Sequence, residues 1–104
     1  LSNCKITVLK RILNEDLAGE YCPSEIIPCP CFEEGQEFLV EGLEKPADFC
    51  EWAWNDILRF VTALSTGGNF SQDIFQGWMK DDNVMIASCT DGLRPVVFKI
   101  ERIK

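Results

Sequence analysis

Six cysteines and no histidine set the chemistry open to this 104-residue chain. The cysteines fall at positions 4, 22, 29, 31, 50 and 89, and three of them crowd the stretch YCPSEIIPCPCF. Without imidazole there is no Ser-His or Cys-His nucleophile pair and no histidine metal ligand. General acid–base work would fall to carboxylates, lysine or Tyr21. The thiols themselves could be metal ligands, a redox pair, a nucleophile, disulfides or plain buried residues. No CxxC occurs, so zinc-ribbon and ferredoxin spacings are both missing. An even count in a short chain permits disulfides, but no secretory signal accompanies it. Cys29 and Cys31, with only Pro30 between them, would close a strained ring.

Position along the chain says more than spacing. Cys29 and Cys31 sit in a proline-stiffened loop. Cys50 falls in the first turn of a long helix if Asp48 caps it, where free N–H groups favour a thiolate and Asp48 and Glu51 oppose one. Cys89 ends a strand at the turn CTDG. A loop, a helix start and a strand end can meet at one edge of a small domain. Cys29, Cys50 and Cys89 are therefore the candidate metal ligands, with Cys31 or the carboxylate of Asp91 completing the set. Zinc and an iron–sulfur cluster are the centres such donors suit. The remaining acidic pairs, Asp81-Asp82 and Glu33-Glu34, read as solvated turns. Gly67-Gly68-Asn69 is a helix stop and lacks the pattern of a phosphate loop. Lys10, Arg11, Arg94, Lys99, Arg102 and Lys104 read as strand-face and terminal charges.

The elements that must position these thiols follow from periodicity. Residues 4–12 alternate, with Cys4, Ile6 and Val8 on one face, as a half-buried strand does. Residues 14–20 suit one helical turn closed by Gly19. Residues 22–35 hold three prolines and form a long loop. Residues 36–42 are a second strand with Phe38 and Val40 inward. Residues 46–68 carry the strongest helical signal, with Phe49, Trp52, Ala53, Ile57, Phe60, Val61 and Leu64 as a broad buried stripe that Trp54 and Leu58 widen, and a stop at Gly67-Gly68. A polar connector follows, then strands at 84–89 and 95–103 that form a hairpin, with Val96, Phe98 and Ile100 inward. One α+β domain spanning 1–104 is expected: a small, mainly antiparallel sheet of about four strands packed on one long helix.

Composition narrows the partners. Ten basic residues against 17 acidic give a net charge of −7. Such a chain repels phosphate backbones and anionic bilayers, so neither nucleic acid nor membrane is an expected partner. No apolar run is long enough to span a bilayer, and the first residues do not read as a signal peptide. A cytoplasmic location is expected. The aromatic residues Trp52, Trp54, Phe70, Phe75 and Trp78 offer a surface for a protein partner or a second copy of the chain.

The segments ITVLKR, CPCFEEGQEFLVEG, FCEWAWNDI, GGNF and CTDGLRPVVFKIERI together resemble a family of small uncharacterised proteins of anaerobic bacteria and archaea. The resemblance covers nearly the whole chain, and the CTDG tail and FCEWAW helix start are its most specific parts. It implies three recurring cysteines, here Cys29, Cys50 and Cys89, in a cytoplasmic, anaerobic setting that keeps thiols reduced. Cys31 stands where that pattern has an apolar residue, and Cys4 and Cys22 are peculiar to this chain. The resemblance implies no mechanism. The functional expectation is a metal- or cluster-binding accessory protein. The alternatives are a thiol enzyme or redox protein using Cys50 and a non-catalytic interaction module.

Overall fold

The computed structural model describes residues 1–104. Its frame is a four-stranded, fully antiparallel sheet built from β1 (Cys4–Arg11), β2 (Glu37–Val40), β3 (Val84–Ser88) and β4 (Val96–Arg102) in the order β2-β1-β4-β3. Two helices, α1 (Glu15–Tyr21) and α2 (Glu51–Ser65), and a 3-10 turn at Asp73–Phe75 complete it. The α+β class and the four-stranded antiparallel sheet hold; the single turn expected at 14–20 is a seven-residue helix, so the chain has two helices and not one long helix alone. No helix is long and apolar enough to cross a membrane.

Strict alternation explains why the sheet has one dry face. Cys4, Ile6 and Val8 of β1 are buried, as are Val96, Phe98 and Ile100 of β4 and Met85 and Ala87 of β3. In the register, Ile6 lies between Phe38 and Ile100, and Val8 lies opposite Phe98. The pairing slips between Val8 and Lys10, which leaves Leu9 out of register and exposed. The opposite face is wet and carries Lys5 between Glu37 and Glu101 at 3.6 and 3.8 Å.

The helix α2 supplies Ala53, Trp54, Ile57, Val61 and Leu64 to the same core and contacts β1, β3 and β4. It is shorter than the 46–68 span the sequence suggests. Asp48 adopts a left-handed backbone at φ 63°, which no helix can continue. Lys45 Nζ donates to the carbonyl of Phe49 at 2.9 Å, so the segment before the helix is held by a side chain. The N-cap is Cys50, without a capping side-chain hydrogen bond, and the Asp48 cap is thereby corrected. Gly19 likewise lies inside α1, whose C-cap is Cys22, and does not close it.

The helix phase keeps Trp54 in the predicted stripe and removes Trp52 from it. Trp54 is 7% exposed, whereas Trp52 is 71% exposed. Two residues turn a helix by about 200°, so the two indoles must face opposite ways. Ala53, Trp54, Ile57, Val61 and Leu64 make the i, i+3, i+4 stripe that reaches the sheet, leaving Trp52 on the outer side.

Both ends of α2 are fixed by backbone geometry. At its end, Gly67 turns at φ 94° and the Gly68 N–H donates to the carbonyl of Ala63 at 2.8 Å. Arg102 Nη1 then donates to the carbonyls of Leu64 and Gly68 at 2.9 and 2.7 Å, tying β4 to the helix terminus. A Cβ at Gly68 would stand 2.9 Å from the Ala63 carbonyl oxygen, a backbone atom with no room to yield. Gly68→Ala is expected to lower the unfolding free energy by about 1–3 kcal/mol. Urea titration checks this: the midpoint falls with an unchanged slope, and an unchanged midpoint contradicts it.

Candidate functional site

Two aromatic residues decide where the thiols go. Phe32 immediately follows Cys31, and Phe49 immediately precedes Cys50. Both rings are buried. Their centroids are 5.0 Å apart in an edge arrangement, and Phe98 of β4 lies 5.1 Å from Phe32 and 5.5 Å from Phe49. Phe38 of β2 closes the group, 4.8 Å from Phe49. Burying these rings therefore draws the loop 22–36 and the start of α2 together. Each such pair contributes about 0.5–1.5 kcal/mol beyond the area it buries.

Backbone contacts hold the rest of the loop. Arg11 Nη1 donates to the carbonyl of Cys29 at 3.1 Å. Val8 binds the far end of the loop through both its backbone groups, accepting from Gly35 N–H at 2.8 Å and donating to the Gln36 carbonyl at 2.9 Å. The slip in β1 thus lies where this loop crosses the strand. Arg11, which reads as a strand-face charge in the sequence, instead fixes the first cysteine of the pair.

The third segment is the turn after β3. Asp56 on α2 accepts from Thr90 twice through Oδ2, from N–H at 2.8 Å and from Oγ1 at 2.9 Å. Asp91 Oδ1 accepts from the N–H groups of Leu93 and Arg94 at 2.9 and 3.0 Å, and Arg94 Nε lies 3.5 Å from Asp91 Oδ2. These contacts, with the backbone donation from Arg94 foremost, hold the Asp91 carboxyl below the usual carboxylate range. Asp91 is therefore committed to its own turn. Cys89 Sγ accepts the Val96 N–H at 3.3 Å, which fixes the sulfur against the start of β4.

Cys29, Cys31, Cys50 and Cys89 all line one cavity of about 370 Å³. All four are free; Cys31 is exposed and the other three are half-buried. Arg94, Asp91 and Thr90 stand on the turn side of the cavity and Trp52 on the helix side. The structure thus brings together all four cysteines named as candidate ligands, with Asp91 beside them. It does not gather three of them about one point: no group of three or more Cys, Asp or Glu side chains is placed to hold a metal ion. A mononuclear zinc site is therefore not preformed. The other two cysteines are elsewhere. Cys4 is in the core, its sulfur 3.4 Å from Ser65 Oγ, and Cys22 lines a separate surface cavity beside α1.

The electrostatics follow from crowding. Withdrawal from water pushes the Cys31 thiol above its ordinary range, and the neighbouring thiols of Cys29 and Cys50 push it further. A thiolate at 31 would stand beside two other ionisable sulfurs. The aromatic surface is more divided than the sequence suggests. Trp54 and Phe70 are buried, while Trp52, Trp78 and Ile74 are exposed. Comparison of the chain with protein-family models, curated proteins and solved structures finds no match.

Phe32, Phe49, Arg11 and Asp56 are the positioning residues that sequence reasoning passes over. The available signal was adjacency: CF at 31–32 and FC at 49–50 each set a thiol beside a large ring. The raised Cys31 thiol has a kinetic consequence. Only the thiolate is alkylated, so Cys31 should react with iodoacetamide at neutral pH more slowly than an unfolded-peptide cysteine, despite its exposure. Its rate should rise through a window above the ordinary thiol range. Replacing both neighbours, as Cys29→Ser with Cys50→Ser, should move that window to lower pH. Mass-spectrometric alkylation rates against pH decide it. A profile unchanged by the double substitution would show that the neighbouring thiols do not raise Cys31.

Proposed function

We propose that the four-cysteine cavity binds a multi-atom soft-metal centre, an iron–sulfur cluster foremost, and that the protein serves as an accessory carrier of that centre. One observation carries the reading: four of the six cysteines, from three separate chain segments, line a single cavity. The donor set supports it. Thiolates are the ligands such clusters require, and a chain without histidine offers no imidazole in their place.

Charge supports it as well. Withdrawal from water first, and the neighbouring sulfurs second, raise the Cys31 thiol, and the only cation lining the cavity is Arg94, itself engaged with Asp91. A metal cation supplies the missing positive charge and lets coordinating thiols ionise. A cluster also suits sulfurs arranged around a cavity better than one ion does, because its ligands attach to different metal atoms. The Val96 N–H aimed at Cys89 is the kind of contact that tunes such a centre. An anaerobic cytoplasmic setting, in which these thiols stay reduced, belongs to the same proposal. Trp52, exposed on the cavity's helix side, is where a client protein would meet it.

Anaerobic reconstitution of the metal-free protein with ferrous iron and sulfide tests the reading. Wild type should take up iron and sulfide in near-stoichiometric amounts and gain visible sulfur-to-iron charge-transfer absorption. Cys29→Ser, Cys50→Ser and Cys89→Ser should each lose most of it, and Cys22→Ser should keep it. Because binding must displace the proton held on Cys31, uptake should strengthen as pH rises towards the thiol range. Wild type that binds no more iron than a triple cysteine variant would sink the proposal.

A further inference from the structure

The contact between Phe32 and Phe49 brings a cysteine from each chain segment to the same cavity. Their centroids are 5.0 Å apart, and both rings are locked in the core against Phe98. Cys31 and Cys50 are the adjoining residues, and they share the walls of one cavity. Cys29 and Cys50 are the thiols that neighbour Cys31. Cys50 is the N-cap of α2, yet its side chain makes no capping hydrogen bond, so its sulfur is free for other bonds. Cys31 is open to solvent and Cys50 is half-buried.

We propose that Cys31 and Cys50 form a reversible disulfide by exchange with an external disulfide, and that this bond closes the thiol cavity to metal. The regulatory half rests on the cluster reading above; the disulfide itself does not. The chemistry balances without any other oxidant. The Cys31 thiolate, the accessible one, attacks an external disulfide, forms a mixed disulfide and expels one thiolate. The Cys50 thiolate then attacks the Cys31 sulfur and expels the second. Two protein thiols are oxidised, one external disulfide is reduced to two thiols, and the two protons released by the protein go to them. Cys29 is the weaker resolving partner for Cys31, because a bond across Pro30 alone is strained. Closure removes two of the four thiol ligands from the cavity at once.

The test uses metal-free, reduced protein and oxidised glutathione, followed by intact-mass analysis and peptide mapping. Wild type should end without attached glutathione and with a mapped Cys31–Cys50 link. Cys50→Ser should stop at the mixed disulfide on Cys31, and Cys31→Ser should give no link to Cys50. The wild-type map alone is decisive if a variant fails to fold. Persistent glutathione on wild-type Cys31, or a link joining Cys29 to Cys31, overturns the proposal. Iron uptake is then measured separately. Oxidised wild type should lose most of its iron uptake and regain it after dithiothreitol treatment, and undiminished uptake by the oxidised form overturns the switch. If reduced protein takes up no iron while the link still forms, the cluster reading has failed and the disulfide has stood.

Discussion

The contact of the Phe32 ring, edge-on to both Phe49 and Phe98, is the constraint on which the site depends. Phe98 belongs to a strand that is fully buried on one face, so its ring has a fixed place in the core. Phe32 comes from a loop that has no regular hydrogen bonding of its own, and Phe49 from the non-helical lead into α2. Inserting its ring is what carries each segment into the core, beyond the polar contacts that hold its backbone. Once both rings are in, the cysteines beside them have little choice of location. Deleting a buried phenylalanine costs about 3–5 kcal/mol in a typical core, and here the same deletion would also release a thiol.

The remaining supports are polar and divide the work. Arg11 holds the Cys29 carbonyl, Asp56 holds Thr90 beside Cys89, and Asp91 shapes the turn that returns the chain to β4. Arg102 performs the corresponding task at the other end of α2, where it binds Leu64, Gly68, Asp82 and Asn83. The helix is thus pinned at its start by aromatic burial and at its end by one guanidinium. The anchors lie at both ends of α2, which suits a site whose ligands come from both sides of the helix start.

Much of this was legible in the sequence, and the omissions have physical reasons. The strands followed from alternation at Cys4, Ile6, Val8 and at Val96, Phe98, Ile100, because a sheet with one dry face leaves no other pattern. The convergence of Cys29, Cys50 and Cys89 could be anticipated from their positions at a loop, a helix start and a strand end. The helix start could not. Asp48 looks like a cap, and only its left-handed backbone, held between the Lys45 contacts and the buried Phe49 ring, moves the cap to Cys50. The outward face of Trp52 was hidden for a related reason, since apolar residues at 52, 53 and 54 fit more than one helix phase. Arg11 and Asp56 were invisible because their partners are 18 and 34 residues away along the chain.

Aromatic burial, and not any sequence motif, assembles the thiol site. The most direct measurement is iron and sulfide uptake by Phe32→Leu beside wild type, each shown to be folded by circular dichroism. Leucine keeps an apolar anchor but gives up the edge contacts to Phe49 and Phe98. The variant should fold, and its uptake should fall several-fold. A folded Phe32→Leu protein that takes up iron and sulfide as fully as wild type would contradict this assembly.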